Sequence, residues 1–184
     1  MMEGVAANHV EARGVVRGLS EMKLNVRPTV PADAAALAEL LNEIIAAGGT
    51  TAYETPFTPD AFADAHIDGP GVITSVLAEN AEGHPMGFQI LLANDKLGPS
   101  WGDIGTFARR GATTRGIGSA LFDATKAAAI AAGLKVIDAT IRADNIGGLT
   151  FYARMGFVDY AVARAVPLAD GTPVDRISRR FDLG

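Results

Sequence analysis

The sequence predicts one mixed α/β domain, and three observations predict it. The chain has 184 residues, 48% hydrophobic and 20% charged, the size and composition of one ordinary globular unit. Apolar residues at helical spacing alternate with short strand-like runs, in the order β-α-α-β-β-β-α-β-α-β-β. A strand-like segment, IGTFAR at 104–109, feeds a turn rich in arginine and glycine that opens directly into a helix-like run, TTRGIGSALF at 113–122.

Taken in order, residues 1–21 show no sustained periodicity, whereas Met22 begins MKLNVRPTVPADAAAL, which reads as a natural start. We read 1–21 as a poorly ordered extension, the alternative being an extra helix packed on the domain, and 22–184 as the domain itself. A first strand over 23–27 stops at Pro28. Asp33 caps or begins a helix whose Leu37, Leu40, Leu41, Ile44 and Ile45 share a face, and Gly48-Gly49 ends it. Thr58 or Asp60 starts a short second helix, broken by Gly69-Pro70-Gly71. Strands follow at 72–78 and 85–93, the second carrying the MGFQILL run of a strand covered on both faces. A fourth strand covers 101–109. The third helix, 119–132, presents Leu121, Phe122, Thr125, Ala128 and Ala129 as one stripe and ends at Gly133. A strand at 135–141, a short helix at 146–154 ending at Gly156, and a strand at 157–166 come next. The turn ADGTP then favours an antiparallel return over 174–181.

Several function classes fall away on composition. There is no cysteine, which removes disulfides, iron–sulfur clusters and thiol nucleophiles, and His9, His66 and His84 have no metal-ligand spacing. No metal site is expected. A net charge of −5 argues against a general nucleic-acid binder. No run approaches a membrane span and no signal-peptide core is present, so a cytoplasmic protein is the expectation.

The chemistry points to the turn. Gly116 and Gly118 let a ligand approach the backbone, and the helix start behind them offers unpaired N–H groups and a positive dipole end. The turn is therefore suited to a phosphate or pyrophosphate. It is not a P-loop, because Ile117 follows Gly116 where lysine is required. It is not a dinucleotide fingerprint either, because Leu121 replaces the third glycine and Asp138 falls in mid-strand.

The turn resembles the acetyl-coenzyme A site of the GNAT (Gcn5-related) N-acetyltransferases, whose signature Q/R-x-x-G-x-G/A is met here from Thr113 to Gly118 with Thr113 in the leading place. Downstream, IRADNIGGLTFYARMGF matches a second family pattern through Asn145, Gly148, Tyr152, Gly156 and Phe157. The resemblance covers residues 23–183 and is nearest the phosphinothricin-acetyltransferase-like branch, which carries a similar Thr-aromatic-Glu sequence where this chain has Thr51, Tyr53 and Glu54. It implies the GNAT fold: a twisted, mostly antiparallel seven-stranded sheet flanked by four helices and splayed between strands 4 and 5.

The resemblance also implies a mechanism without a covalent intermediate. The cofactor arm would lie in the splay against the backbone of Phe107, Ala108 and Arg109, with an N–H of Phe107 or Ala108 polarising the carbonyl. The pyrophosphate would rest on Thr114, Arg115, Gly116, Ile117, Gly118 and Ser119, with Arg109, Arg110 and Arg115 as supplementary cations. Asn145 is the N-cap of its helix and, by resemblance, a cofactor contact. Tyr152, a phenol protonated at neutral pH, is the implied general acid. Asp103 and Glu54 compete as general base, and Tyr53 and Glu54 are acceptor-site candidates. The expected activity is acetyl transfer from acetyl-CoA to a small amine such as an amino acid or amino-acid-like compound. The alternatives are a protein or peptide acceptor, or a non-catalytic acyl-CoA-binding module. A homodimer through the last two strands is expected.

Overall fold

A computed structural model describes residues 24–109, 111 and 116–184. The expected extension at 1–21 and the turn residues Arg110, Thr113, Thr114 and Arg115 lie outside the described residues. The elements are β1 (Asn25–Pro28), α1 (Ala34–Ala47, entered through a 3-10 turn at Pro31–Asp33), α2 (Pro59–His66), β2 (Val72–Glu79), β3 (Pro85–Leu92) and β4 (Trp101–Ala108). They continue with α3 (Ile117–Ala131), β5 (Val136–Arg142), α4 (Ile146–Arg154), β6 (Val158–Pro167) and β7 (Pro173–Asp182). The predicted order holds throughout. Most boundaries shift by about a residue, and β1 extends to include Pro28, paired with Val76, because an edge strand tolerates proline's missing N–H. Helix α3 starts at Ile117, two residues before the expected start, with Gly116 as N-cap at φ +90°.

The strands form one seven-stranded sheet in the order β1-β2-β3-β4-β5-β7-β6. Every neighbouring pair is antiparallel except β4 and β5. That parallel pair is in register only from Trp101–Val136 to Asp103–Asp138, although β4 continues to Ala108 and β5 to Arg142. Beyond Asp103 the two strands splay.

Strand alternation divides the core between the two faces of the sheet. On one face Leu37, Leu40 and Leu41 of α1 and Phe62 of α2 pack on Phe88 and Phe107. On the other, Phe122 of α3 and Tyr152 of α4 pack with Leu91, Ile104, Ile137 and Phe157. Strand β3, which carries the MGFQILL run, is buried on both faces, as its composition predicts.

His66 is an anomaly in the first face. It ends α2, is 2% exposed, and sits among Tyr53, Phe57 and Phe62. Neither ring nitrogen has a partner of good geometry, so burial lowers its pKa below the ordinary 6.5, opposed by the Ala65 backbone. Above pH 6.5 the ring is neutral in folded and unfolded chains alike. As pH falls below it, the unfolded chain takes up a proton that the folded one resists, and stability drops. Chemical denaturation between pH 7 and 5 should show this loss, at most about 2 kcal/mol at pH 5. His66→Leu should flatten that part of the profile; an unchanged slope would show that the ring is not the group responsible.

Candidate active site

The splay between β4 and β5 sets the geometry of the site. The Arg109 amide donates to the Met86 carbonyl at 2.9 Å, so by ladder alternation Phe107 and Gly105 also turn their backbone groups to β3. Even-numbered residues face the other way, as the Ser100 carbonyl does in accepting from the Lys135 and Val136 amides of the β5 end. Thr106 and Ala108 therefore direct their backbone groups toward the gap. Between the two candidates for a carbonyl-polarising amide, this phase selects Ala108 over Phe107, whose N–H belongs to the β3 ladder.

The gap is the floor of a cavity of about 910 Å³. At one end lies the start of α3, where Gly116 carries no side-chain cap and the first turn holds no acidic residue. Among the described residues a Cβ on Gly116 would meet no atom within 4 Å, so the glycine leaves space beside the helix terminus. A Cβ on Gly118 would instead lie 2.5 Å from the Phe151 ring, so this glycine brings α3 against α4. An extended polar arm along β4 with an anionic group at the α3 terminus fits this shape.

Tyr152 stands beneath the gap. Helix α4 is positioned by Asn145, whose Oδ1 accepts from the Gly148 amide at 2.9 Å and whose Nδ2 donates to the Thr50 carbonyl at 2.9 Å. Phe151 and Phe157 pack edge-on against the Tyr152 ring. Its hydroxyl lies 2.9 Å from Thr106 Oγ1, which in turn accepts from Gln89 Nε2 at 2.8 Å. Since Thr106 already accepts from Gln89, its own hydrogen can turn to the Tyr152 oxygen, leaving the phenolic hydrogen directed to the cavity. Burial holds the phenol well above its ordinary pKa of 10.

Above the gap, Asp103 and Asp138 are neighbours in register. Burial raises the pKa of Asp103, opposed by the Asn94 amide at 2.9 Å and reinforced by the nearby Asp138. Burial also raises Asp138, opposed by hydrogen bonds from Tyr160 at 2.6 Å and Thr140 at 3.2 Å. Tyr53, from the α1–α2 connection, completes this wall, its phenol pushed up to about 12 by burial and then by the charge of Asp103.

Most residues expected at a site therefore line one cavity: Tyr53, Asp103, Phe107, Ala108, Arg109, Gly116, Ile117, Gly118, Asn145 and Tyr152. The side chains of Phe107 and Ile117 are buried in the core beneath the lining. Arg109 spends its guanidinium on Glu43 at 3.2 Å and the Pro85 carbonyl. Ser119 is outside the lining, its hydroxyl turned back to the Gly116 carbonyl. Thr114 and Arg115 lie outside the described residues. Glu54 is not brought to the cavity: it is exposed, and its carboxylate accepts the Ala169 amide at 3.0 Å, across the β6–β7 turn. Its expected place as base or acceptor contact is not met by this arrangement, in which the carboxylate ties the α1–α2 connection to the β6–β7 turn within electrostatic reach of Arg142.

Sequence reasoning missed Gln89, Thr106, Asp138, Tyr160, Arg142 and Arg176. Two signals were present. Gln89 is the lone polar residue of an apolar buried strand, and Asp138, Thr140 and Arg142 put a polar residue at every second position of β5. Among the described residues no group of His, Asp and Glu is arranged to hold a metal ion, and no helix is long and apolar enough to cross a membrane.

Comparison with known proteins agrees with this geometry. No curated protein matches the sequence at a significant level. Solved structures do: a phosphinothricin acetyltransferase from Sinorhizobium meliloti in complex with acetyl-CoA is 23% identical, with a TM-score of 0.77 over 89% of this chain and 90% of its own. An N-acetyltransferase from Staphylococcus aureus is 17% identical at TM-score 0.73, covering 88% and 99%. A ribosomal-protein-alanine N-acetyltransferase from Brucella melitensis is 18% identical at 0.72, covering 86% and 99%. At these identities the likeness is one of fold. The family model for the acetyltransferase (GNAT) family matches residues 35–157, most of the chain and the whole span from α1 to the end of α4, and the chain belongs to that family of acyltransferases.

Proposed function

We propose that the protein transfers the acetyl group of acetyl-CoA to the amino group of a small molecule. The observation that carries this is the β4–β5 gap, with Tyr152 below it and the register pair Asp103 and Asp138 above it. Acetyl-CoA supplies an acetyl group already activated as a thioester. The protein's residues then have three tasks. The Ala108 amide donates to the carbonyl oxygen as negative charge develops there. Asp103, its pKa raised towards that of an amine, removes the proton from the ammonium so that nitrogen can form the new C–N bond. Tyr152 delivers its proton to the sulfur as the C–S bond breaks, and Thr106 and Gln89 hold the phenol in line. Gly116, Ile117 and Gly118 offer the α3 terminus to the pyrophosphate, and Asn145 borders the arm.

A small acceptor is favoured over a protein because the α1–α2 connection roofs the cavity. It is tied down at Thr50 by Asn145, at Thr51 by Arg142 and at Glu54 by Ala169. A protein acceptor would need an open groove there. The retained Tyr152 argues against a binding module without turnover. A homodimer through β6 fits its exposed apolar residues Val158, Tyr160 and Val162, and dependence on acetyl-CoA fits a cytoplasmic enzyme.

Thiol release from acetyl-CoA over a panel of amino acids, simple amines, aminoglycosides and peptides tests the reading. Turnover of a small amine supports it; turnover of peptides alone replaces it with the protein reading, and binding without any turnover with the module. Tyr152→Phe should lower kcat by about 10²- to 10⁴-fold with little change in the KM for acetyl-CoA; equal losses in both would deny the acid role. Gly116→Val, straining a residue at φ +90° and filling the open space beside α3, should abolish calorimetric binding of the donor. Undiminished binding would move the phosphate site elsewhere. With Asp103 as base, kcat/KM should fall with decreasing pH along a limb lying above the ordinary carboxylate value of 3.8, and Asp103→Asn should lower the rate and remove that limb.

A further inference from the structure

Strand β6 carries a bulge, and Tyr160 is its extra residue. Pairing with β7 runs through Asp159 and Arg179 and resumes at Ala161 and Ser178, so Tyr160 has no residue opposite it. A bulge bends its strand and re-aims a side chain. Here the phenol reaches across β7, and its hydroxyl donates to Asp138 Oδ1 on β5 at 2.6 Å. The Trp101 ring packs edge-on against it, with 5.6 Å between centroids. Tyr160 is 43% exposed, so the core gains little from this placement, and the bond to Asp138 is what distinguishes it.

That bond makes the two carboxylates of the Asp103–Asp138 register pair unequal. Both oxygens of Asp138 accept from hydroxyls, Oδ1 from Tyr160 and Oδ2 from Thr140 at 3.2 Å. Among the described residues Asp103 accepts only at Oδ2, from the Asn94 amide. A hydroxyl donating to a carboxylate favours its charged form, and that charge favours a proton on the acid beside it. Burial raises both acids. Tyr160 and Thr140 oppose it at Asp138, whereas at Asp103 Asn94 opposes it and the Asp138 charge adds to it. The pair therefore keeps its last proton at Asp103, whose Oδ1 is open. The other groups around the pair leave this order in place. Burial holds the Tyr53 and Tyr152 phenols above the ordinary value of 10, so both are neutral. Arg180, opposite Asp138 on β7, pairs with Asp182 at 3.5 Å. Lys96, on the β3–β4 connection, lines the same cavity and makes no ion pair with either acid among the described residues. Arg142 and Arg176 lie two register pairs further along and are both drawn to Asp144.

We propose that Tyr160 holds Asp138 in its charged form and that Asp138, so held, makes Asp103 the proton acceptor of acetyl transfer. Both are positioning residues that act through Asp103, and their role rests on Asp103 being the base of the proposed reaction. The acceptor ammonium gives its proton to Asp103, its nitrogen bonds the acetyl carbon, and the proton leaves Asp103 for water when the product departs. Asp138 stays charged throughout. Without that charge Asp103 is a weaker base, and without Tyr160 the neighbouring acid competes for the proton.

The test uses the full chain and two readouts. Carbon NMR of labelled aspartate carboxyls follows the pair against pH with neither donor nor acceptor present, and thiol release with the best amine of the panel follows the acid limb of kcat/KM. Asp138→Asn should lower the Asp103 midpoint and move the limb to lower pH, with kcat on the plateau down about 3- to 10-fold as base strength falls. Tyr160→Phe should move the midpoint and the limb the other way, to higher pH. In the double variant Tyr160→Phe should add nothing to Asp138→Asn, because it acts only through that carboxylate. Loosened packing alone would not give shifts of opposite sign. Unmoved midpoints, or both variants shifting them in one direction, would overturn the proposal while leaving Asp103 free to act as base unaided. Coupled midpoints with a limb that survives Asp103→Asn would overturn the base assignment, and with it the role given to the pair. Tyr160 lies on an edge strand, so Tyr160→Phe decides the matter even where Asp138→Asn fails to fold.

Discussion

The parting of β4 from β5 is the constraint on which the rest depends. These are the two strands at which the sheet changes from antiparallel to parallel pairing, and they remain in register only through Asp103 and Asp138. Past that point each strand keeps its other neighbour: β3 follows β4 to Ala108, and β7 follows β5 to Arg142. The backbone groups of Thr106 and Ala108 on the inner side thus lose a strand to pair with. Unmade backbone hydrogen bonds cost about 1–3 kcal/mol each when buried, so the gap must hold water or an extended polar ligand. A ligand that completes the sheet by strand addition gains those bonds with little reorganisation of the protein.

What lies on either side of the gap follows from strand phase. Thr106 and Gln89 share the face covered by α3 and α4, where they meet Tyr152. Asp103 and Phe107 share the face covered by α1 and α2, where they meet Tyr53. A phenol and a carboxylate are thereby held on opposite sides of one opening. Glycine makes the lower layer possible: Phe151 packs where a Gly118 side chain would be, so α4 can approach α3 closely enough to set its tyrosine under β4.

The sequence made the element order legible because periodicity, glycine stops and the Thr58 and Asn145 caps all act locally. Thr58 Oγ1 does accept from the Ala61 amide, and Asn145 from Gly148. The glycine turn and Tyr152 were legible because fixed spacing at a strand–helix junction carries its own geometry. Phase was not. Nothing local says whether Phe107 or Ala108 turns its amide to the gap; that depends on the Arg109–Met86 pairing across the sheet. Long-range contacts were equally hidden: Gln89, Thr106 and Tyr152 meet only after three separate elements have packed. The same holds for Arg142 and Arg176, which become neighbours only through the β5–β7 register.

Glu54 shows how a residue of the right type in the right segment can serve a different purpose. Desolvation distinguishes it from Asp103. A carboxylate useful for taking a proton from an ammonium must have its charged form made less comfortable, and burial beside a second carboxylate does that to Asp103. Glu54 is exposed and takes an amide hydrogen from Ala169. Its service is mechanical: with Asn145 at Thr50 and Arg142 at Thr51, it fastens the α1–α2 connection to the C-terminal half of the chain. Arg142 and Asn145 belong to the same strand and helix that bound the gap, so the roof of the cavity and the wall of the gap are fixed by one set of residues. A change in either must be felt by the other, which under the proposed function ties acceptor choice to the geometry of transfer.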